Sequence, residues 1–529
     1  MRNHWLMGAT ALALSLSLVA GCGSKSTTST GTTTTGGAAQ KGGVLKVAIV
    51  GEPPTIDMHT TTATLAFEVG WHIFETLYTY TADYGIQPML AETLPEVKAD
   101  GKIYVIKLRQ GVPFHNGKVM TSDDVVASIN RWNKLAQNAK GAMAGLKAVT
   151  APDKNTVQFE FDKPNGTLLA ALATPGNGLA IYPKEICDKY PDKPIQEFIG
   201  TGPYKLIEHV PDRYYKLQRF DQYASRSEEP NGPGGKKLAV ADEIQFIPVP
   251  DTNTRLSGLE SGEYDVAALL SGSQYQSVKN DSSLQAIVVK PISHLNVSFN
   301  MKQGPFTNKL VRQAALAIMD PEPIMSAAFG DKDLYRIDPS LMQKEQGVWW
   351  TDAGKENYNQ HNVAKAKQLL QQAGYKGEKI RYLATKEYDY NYKAALVYAD
   401  QMKAAGFNVE LVVSDWATLV NNRAKPDAWD MFGTGISVKN NPLLLASMGD
   451  KWFGWWSNPQ RDQLAQQIAG ELVDAQAAKP WAELQKLYYE DVPSVKIGDY
   501  FGTRAARKNV KNVPTMGEYY FWNTYVEKK

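Results

Sequence analysis

Apolar positions along the chain fall into two patterns, short continuous runs and stretches with helical spacing. Short runs are typical of buried strands, whereas apolar residues repeating every three or four positions predict helices. The predicted strands are residues 44–50, 104–108 and 408–413. The predicted helices are residues 67–77, a helix capped by Thr121, 363–373 before Gly374, and a helix through 396–402 before Gly406. Alternating strands and helices, with hairpin-like β structure in 155–250, predict an α/β fold.

The first residues form a separate pattern. Arg2 and His4 precede an apolar run at 5–18, which closes at Val-Ala-Gly-Cys22. This pattern is typical of an export signal, and the run is too short for a comfortable membrane span. Val-Ala-Gly-Cys also resembles a lipobox, the site where a bacterial signal peptidase cuts before a diacylated cysteine. An ordinary secretory signal with an incidental cysteine is the alternative.

A tether follows the predicted lipidation site. Residues 23–43 are almost entirely Ser, Thr, Gly, Ala, Lys and Gln, which cannot bury a core. We therefore predict a lipoprotein signal peptide at 1–21, and a lipidated Cys22 with a flexible Ser/Thr/Gly tether at 22–43.

Composition narrows the class of protein. The 529 residues are enough for two or three cores, and a net charge of +2 without a basic block argues against nucleic-acid binding. The chain has two cysteines, Cys22 and Cys187. If Cys22 carries lipid, Cys187 has no partner, and we expect it to be a buried, inert thiol.

Motifs for catalysis, metals or cofactors are weak. The segment Gly200-Thr-Gly-Pro-Tyr204 lacks the Gly-Lys-Ser/Thr ending of a phosphate loop and predicts a turn into a strand. His72 and Glu75 have the spacing of some helical metal ligands but no second His–Glu pair accompanies them. No Gly-x-Ser-x-Gly elbow or Cys/His cluster is found. We predict no bound metal and no cofactor. An enzyme ranks below a binding protein as the predicted class.

Two adjoining segments resemble a known family. Residues 108–117 (LRQGVPFHNG) and 121–131 (TSDDVVASINR) strongly resemble the signature of the family 5 extracellular solute-binding proteins, the dipeptide-, oligopeptide- and nickel-binding group. Further matching segments follow the family's order, at residues 90–93, 151–154, 200–204, 219–223, 259–265, 299–301, 311–314, 364–375, 416 and 429–430. The resemblance extends from about residue 44 to the end.

The resemblance implies a two-lobed periplasmic-binding-protein-like α/β fold of class C type, with an inserted subdomain and a hinged interlobe cleft. Lobe I would comprise 44–90, 200–298 and 498–529, the inserted subdomain 91–199, and lobe II 299–497. The chain would cross between lobes near 298–300 and near 496–498, and closure would bury a solute between them.

It also implies where the solute binds. In oligopeptide-binding relatives an N-terminal loop and a Trp-rich stretch of the second lobe hold the ligand. The corresponding residues, with a nearby tyrosine pair that suits a pocket wall, are Thr61, Thr62, Ala63, Tyr388, Tyr390, Trp416, Arg423, Thr434, Gly435, Ile436, Ser437 and Lys439. Tyr388, Tyr390 and Tyr392 alternate and would share one face if this segment were extended.

One position departs from the family pattern. Lys439 stands where relatives carry an acidic residue for a peptide's α-ammonium group, and a lysine disfavours a cation. The flanking segments, including Trp416, Trp429 and 521–523, look closer to a branch that holds opine-type binders. We therefore expect a solute with an anionic group near Lys439.

The resulting interpretation is an extracytoplasmic lipoprotein of an ABC importer. It would be a monomer, anchored to the outer face of a Gram-positive cell membrane or in a Gram-negative periplasm. It would deliver a peptide or peptide-like solute to the importer's permease. Opine-like, sugar-phosphate and oligosaccharide solutes are alternatives. A nickel chelate ranks last among the solutes, because His59 is the only histidine near the predicted pocket. An anchored secreted hydrolase is the remote alternative to a binding protein.

Overall fold

The computed structural model describes residues 42–61, 63–136, 139–174, 176–386, 388–449, 452–517 and 520–527. The predicted signal peptide, Cys22 and Thr62 lie outside these ranges. Within them, every helix is too short or too polar to cross a membrane.

Strands and helices alternate over most of the described chain. In chain order the strands are β1 (Val44–Ile49), β2 (Tyr78–Tyr80), β3 (Ile86–Pro88), β4 (Glu96–Lys98), β5 (Ile103–Lys107), β6 (Leu146–Asp153), β7 (Thr156–Phe161), β8 (Tyr204–Val210), β9 (Tyr214–Arg219), β10 (Glu243–Pro248), β11 (Val266–Ala268), β12 (Leu284–Phe299), β13 (Tyr335–Arg336), β14 (Lys379–Ala384), β15 (Asn408–Val413), β16 (Met431–Ser437), β17 (Ser494–Arg507), β18 (Val510–Lys511) and β19 (Tyr525–Val526). The helices are α1 (Thr64–Gly70), α2 (Ser122–Leu135), α3 (Ala139–Ala142), α4 (Leu168–Ala173), α5 (Lys184–Lys189), α6 (Thr252–Ser261), α7 (Gly272–Asn280), α8 (Lys309–Ile318), α9 (Pro321–Phe329), α10 (Val363–Ala373), α11 (Asp389–Ala404), α12 (Trp416–Arg423), α13 (Pro459–Gly470) and α14 (Asp474–Asp491).

A large mixed sheet organises the chain, in the order β15-β14-β16-β12-β17-β11-β1-β10-β9-β8, with β13 added to β17. A separate sheet has the order β4-β5-β7-β6. Together with the structural neighbours reported below, this arrangement confirms the predicted two-lobed α/β fold.

The central strands β12 and β17 belong to both halves of the large sheet. Residues 284–289 of β12 pair with 502–507 of β17, where β17 also borders β11. Residues 293–298 pair with 494–500, where β12 also borders β16. The pairing register shifts between Val289 and Ser293. The two halves are therefore joined by the same antiparallel pair.

Buried apolar side chains form several cores. One core collects residues between Leu295 and Ile497 around the β14–β16 half of the sheet. A second packs on β1, β10 and β11, and includes Phe521 and Trp522. A third lies against the four-stranded sheet and draws on residues from Leu77 to Ile181.

Elements with strong local signals form where the sequence predicts them. Thr121 and Asp124 form a capping box at the start of α2. Helix α10 ends at Gly374, whose φ of +70° suits a residue without a side chain. The turn at residues 201–203 leads into β8, as predicted, and Cys187 is buried, with its pKa raised to about 11 by burial.

One prediction is wrong, and one condition considered in the sequence is not met. The predicted helix at 67–77 ends at Gly70, since residues 71–73 form a turn and β2 begins at Tyr78; His72 and Glu75 are therefore not on a helix. Residues 388–392 are not extended, because Tyr388 caps α11 and Tyr390 and Tyr392 lie in its first turns.

A buried ion pair ties the loop after β1 to α2. The Asp57 and Arg131 side chains are at most 2% exposed, and Arg131 Nη2 lies 2.6 Å from Asp57 Oδ2. The carboxylate also accepts hydrogen bonds from Tyr182 Oη (3.0 Å) and from the backbone N–H groups of His59 and Ile195 (both 3.0 Å). Burial favours a raised pKa for Asp57, but these donors, Arg131 first, lower it below the ordinary value.

We expect Arg131→Leu to lower the free energy of unfolding by about 3–5 kcal/mol, because it leaves a buried carboxylate without its counter-charge. Urea denaturation at neutral pH measures the change. Lys98→Leu is the matched control, since the Lys98–Glu96 pair is 52% and 64% exposed, and it should cost less than about 1 kcal/mol. Equal effects of the two substitutions would contradict the anchoring role of Asp57.

Candidate functional site

The carboxyl ends of three strands of lobe II, the body containing β14–β16, converge. Strand β14 pairs in parallel with β15 and with the start of β16. In open sheets of this kind, ligands bind beyond the carboxyl ends of the strands. The segments that leave these ends are 385–390 before α11, 414–416 before α12, and 438–441. Tyr388, Tyr390, Trp416 and Lys439 lie in these segments, so the fold brings the predicted second-lobe residues to one edge.

Aromatic side chains form a continuous line at this edge. The ring centroids of Tyr388 and Trp416 are 4.9 Å apart, and those of Tyr388 and Tyr390 are 6.0 Å apart. Tyr390 continues to Tyr500, 5.3 Å away, and Phe329 stacks on Tyr500 at 4.9 Å. Burial raises the pKa of Tyr390 well above its ordinary value, so its hydroxyl stays protonated.

Arg423 lies within a cage of aromatic rings. Its Cζ is 5.0 Å from the centroid of Phe453, 5.3 Å from Phe432, 5.5 Å from Trp416 and 5.9 Å from Trp452. Among the described residues, no acceptor reaches its buried Nε. Burial lowers the pKa of the guanidinium, yet an arginine stays charged. The cage therefore holds a positive charge that an anionic group could neutralise.

Strand β16 leaves one edge open. It pairs with β12 as far as Ser437, but β14 borders it only at Met431 and Phe432. Among the described strands none pairs with its other edge from residue 433 onward. Gly433 O accepts a hydrogen bond from Asn391 Nδ2 at 2.9 Å, and beyond it Gly435 is half-buried and Ser437 exposed. Successive residues of a strand direct their backbone groups to alternate edges, so those of Gly435 and Ser437 face the open edge.

The side chains of this strand divide between two roles. Thr434 and Ile436 are buried and their backbone groups face β12, so these two predicted site residues are not placed to bond a ligand at the open edge. Glycine at 433 and 435 allows close packing, since an added Cβ would lie 2.5 Å from Asn391 Oδ1 in one case and displace the Tyr500 hydroxyl in the other. The sheet is thus closely packed on one side and open at its edge.

Lys439 lies in a short segment that touches the third core. Its side chain is half-buried, and its carbonyl accepts a hydrogen bond from the Gln346 amide. The preceding residue, Val438, packs against the core formed by 77–181. Residues 438–440, which we call the strap, therefore connect the open edge of β16 with another core.

The predicted N-terminal loop is rigidly held. Ala63 N donates to Thr61 Oγ1 at 3.0 Å, and both residues are half-buried. His59 is buried, with Nε2 2.9 Å from Ala180 O, and burial lowers its pKa to about 4. Asp57 anchors the preceding turn, as described above. Among the described residues, no three His, Cys, Asp or Glu side chains form a potential metal site.

Some site residues escape sequence reasoning. Tyr500 lies on β17, far along the chain from Gly435, and no local signal marks it. Asn391 lies within the tyrosine-rich segment, and its position on α11 is missed if that segment is taken as extended. Phe453 and Trp452 are visible as aromatic residues, although nothing in the sequence assigns them to Arg423.

Two halves joined by a shared strand pair, with an aromatic site at the strand ends of one half, are typical of two-lobed extracytoplasmic binding proteins. Residues 85–444 match the sequence profile of the bacterial extracellular solute-binding proteins, family 5. The chain belongs to this family, which confirms the resemblance found in the sequence.

Relatives cover almost the whole chain. The probable peptide ABC transporter periplasmic-binding protein y4tO of Sinorhizobium fredii is 27% identical, covering 88% of this chain and 90% of its own. The oligopeptide-binding protein AppA of Bacillus subtilis is 26% identical, with 93% and 92% covered.

Solved structures give the same fold. The PBP AgaA of A. tumefaciens R10, in complex with agropinic acid, is 25% identical with a TM-score of 0.75, covering 92% of this chain and 99% of its own. The substrate binding protein CtaP of Listeria monocytogenes is 22% identical with a TM-score of 0.79, covering 92% and 100%.

We expect Gly435→Ala to destabilise the protein by about 1–3 kcal/mol, because the new methyl group displaces Tyr500 from the aromatic line. Urea denaturation measures the loss, and near-ultraviolet circular dichroism reports the altered aromatic packing. Gly470→Ala is the control, since nothing lies within 4 Å of an added Cβ there. An unchanged aromatic signal in Gly435→Ala would contradict the close packing at this position.

Proposed function

We propose that the protein is the solute-binding component of an ABC importer. It captures a peptide or peptide-like solute between its lobes and delivers it to the membrane permease, as a monomer and without catalysing a reaction. The similarity to y4tO, a probable peptide ABC transporter periplasmic-binding protein, and to the oligopeptide-binding protein AppA supports peptide transport.

The observation that carries the proposal is the open edge of β16. An extended peptide can add to such an edge as a strand, with main-chain hydrogen bonds supplying affinity. Trp416, Tyr388 and Tyr390 lie beside it and can bury side chains of the solute. We infer that the backbone of Gly435 and Ser437 bonds the solute, because that of Thr434 and Ile436 faces β12, with Thr61, Thr62 and Ala63 closing over it from lobe I.

Charge favours a solute with an anionic group. Arg423 has no acidic partner among the described ion pairs, and Lys439 follows the open edge by two residues. Because closure removes water, a carboxylate paired with either group gains more than an exposed ion pair, which contributes about 0–1 kcal/mol.

We propose that closure is a rotation about the central strand pair. The register shift on β12 lies at 290–292, opposite residues 500–502 of β17. It separates the β12–β17 residue pairs on the β11 side from those on the β16 side. We therefore infer that the lobes meet there, with the division 44–90, 200–298 and 498–529 against 299–497 shifted by a few residues. The inserted subdomain of 91–199 then also takes in the segment from Leu77, which contributes to its core.

An opine-like conjugate is the second candidate solute. The charge of Arg423, which has no acidic partner among the described residues, and the likeness to AgaA, solved with agropinic acid, favour it. Such a conjugate would use the same cage but less of the β16 edge.

Native mass spectrometry of protein purified from its own host, without denaturation, tests the proposal. We expect a bound species of peptide or conjugate size that carries a carboxylate or phosphate group. A bound sugar without peptide or acidic groups would contradict the proposed solute class, and turnover of added peptides would favour the hydrolase alternative.

We expect Lys439→Asp to weaken binding of the solute identified in this way by at least about tenfold, roughly 1.4 kcal/mol, because it replaces attraction by repulsion. Calorimetry measures both proteins. Lys367→Asp, an exposed site on α10, makes the same charge change and should leave the affinity unaltered. Equal affinity of wild type and Lys439→Asp would remove Lys439 from the site.

We also propose that Cys22 carries a lipid anchor that holds the protein at the cell membrane. The lipobox-like Val-Ala-Gly-Cys22 and the following tether support this. Cys22→Ala should release the protein into the medium or periplasm, as fractionation and immunoblotting measure. Retention in the membrane fraction would contradict the anchor, and Cys187→Ala should leave the location unchanged.

A further inference from the structure

Both ends of the short helix α4 contact lobe II. Helix α4 belongs to the core of the inserted subdomain. Before it, Gly166 N donates to Ala469 O at 2.7 Å, and an added Cβ at Gly166 would collide with the carbonyl of Glu471. After it, the strap reaches the last turn of the helix. The inserted subdomain is therefore in contact with lobe II at two points.

Asn440 makes the second contact. Its Nδ2 donates to Ala170 O at 3.1 Å, and its Oδ1 lies 3.4 Å from Thr174 Oγ1, whose one proton goes to Ala170 O at 2.8 Å. The side chain is buried, and Val438 packs on the same subdomain. A polar side chain of lobe II is thus enclosed by the inserted subdomain.

The subdomain has its own hydrogen bonds at these places. Thr174 Oγ1 donates to Ala170 O, and Thr167 Oγ1 donates to Asn165 Oδ1 at 2.9 Å. Helix α4 therefore keeps its internal bonds when Asn440 is absent. The contact with Asn440 therefore affects how lobe II and the inserted subdomain are positioned relative to each other. It does not affect the folding of either part.

We propose that Asn440 is a positioning residue that latches lobe II to the inserted subdomain in the closed state. The proposal rests on the proposed function. It adds a role for the inserted subdomain, which contacts lobe II and helps to hold the closed state. The strap follows β16 directly, so a solute bonded to the β16 edge restricts the position of the strap. The strap in turn stays in contact with α4 through Asn440. Opening would break the contact between Asn440 and α4 and expose both to water, so the latch opposes opening.

A cysteine pair tests the contact without any solute. In a Cys22→Ala background, Thr174→Cys with Asn440→Cys should form a disulfide under mild oxidation, as intact-mass measurement shows. The control pair is Thr167→Cys with Asn440→Cys, at the other end of α4, which should not cross-link. If the first pair also stays reduced, the latch is overturned.

Kinetics with tetra-alanine as the probe test the coupling. Asn440→Ala should speed dissociation of tetra-alanine roughly fivefold, because the hydrogen bond from Asn440 to Ala170 O is lost from the closed state, while association changes less than twofold. Thr167→Val, which removes a hydroxyl that donates to Asn165 Oδ1 within the subdomain, should have no effect. Unchanged dissociation in Asn440→Ala would overturn the latch.

The two experiments separate this proposal from the proposed function. If tetra-alanine fails to bind the wild type but the disulfide forms, the latch is supported and peptide capture is contradicted. If tetra-alanine binds and neither the disulfide nor the faster dissociation is observed, peptide capture stands and the latch is wrong.

Discussion

The long antiparallel pair of β12 and β17 is the constraint on which the rest of the structure depends. Each strand contributes hydrogen bonds to both halves of one sheet, so the halves cannot separate without breaking the pair. The pairing register shifts between Val289 and Ser293 and again between Leu295 and Asn296. The proposed rotation of one half relative to the other is placed at the first of these shifts.

Local signals in the sequence were sufficient to predict the helices and strands whose ends are fixed by neighbouring residues. Thr121 with Asp124 and Gly374 fix helix ends by chemistry within one turn, and the β-branched run at 408–413 fixes a strand. The predicted helix at 67–77 failed for a physical reason. Val69, Ile73 and Leu77 are all buried, and burial rather than helical geometry produces their spacing.

The candidate site was only partly accessible from the sequence. Trp416 and Arg423 could be assigned by resemblance, and their proximity follows from a single short helix. The fit of Gly435 against the Tyr500 hydroxyl joins strands distant in the chain, which no periodicity reports. The Arg423 cage likewise depends on Trp452 and Phe453, which a loop returns to α12. Such contacts depend on tertiary packing.

The open edge of β16 has a consequence for the empty protein. Unpaired backbone groups on a strand are a template for pairing with another chain, and folded proteins usually cover or interrupt such edges. Here the edge is short, and the strap and Asn391 limit its two ends. A bound solute would complete the sheet. The solute would then act as the missing strand of the fold, and protect a newly exported molecule from self-association.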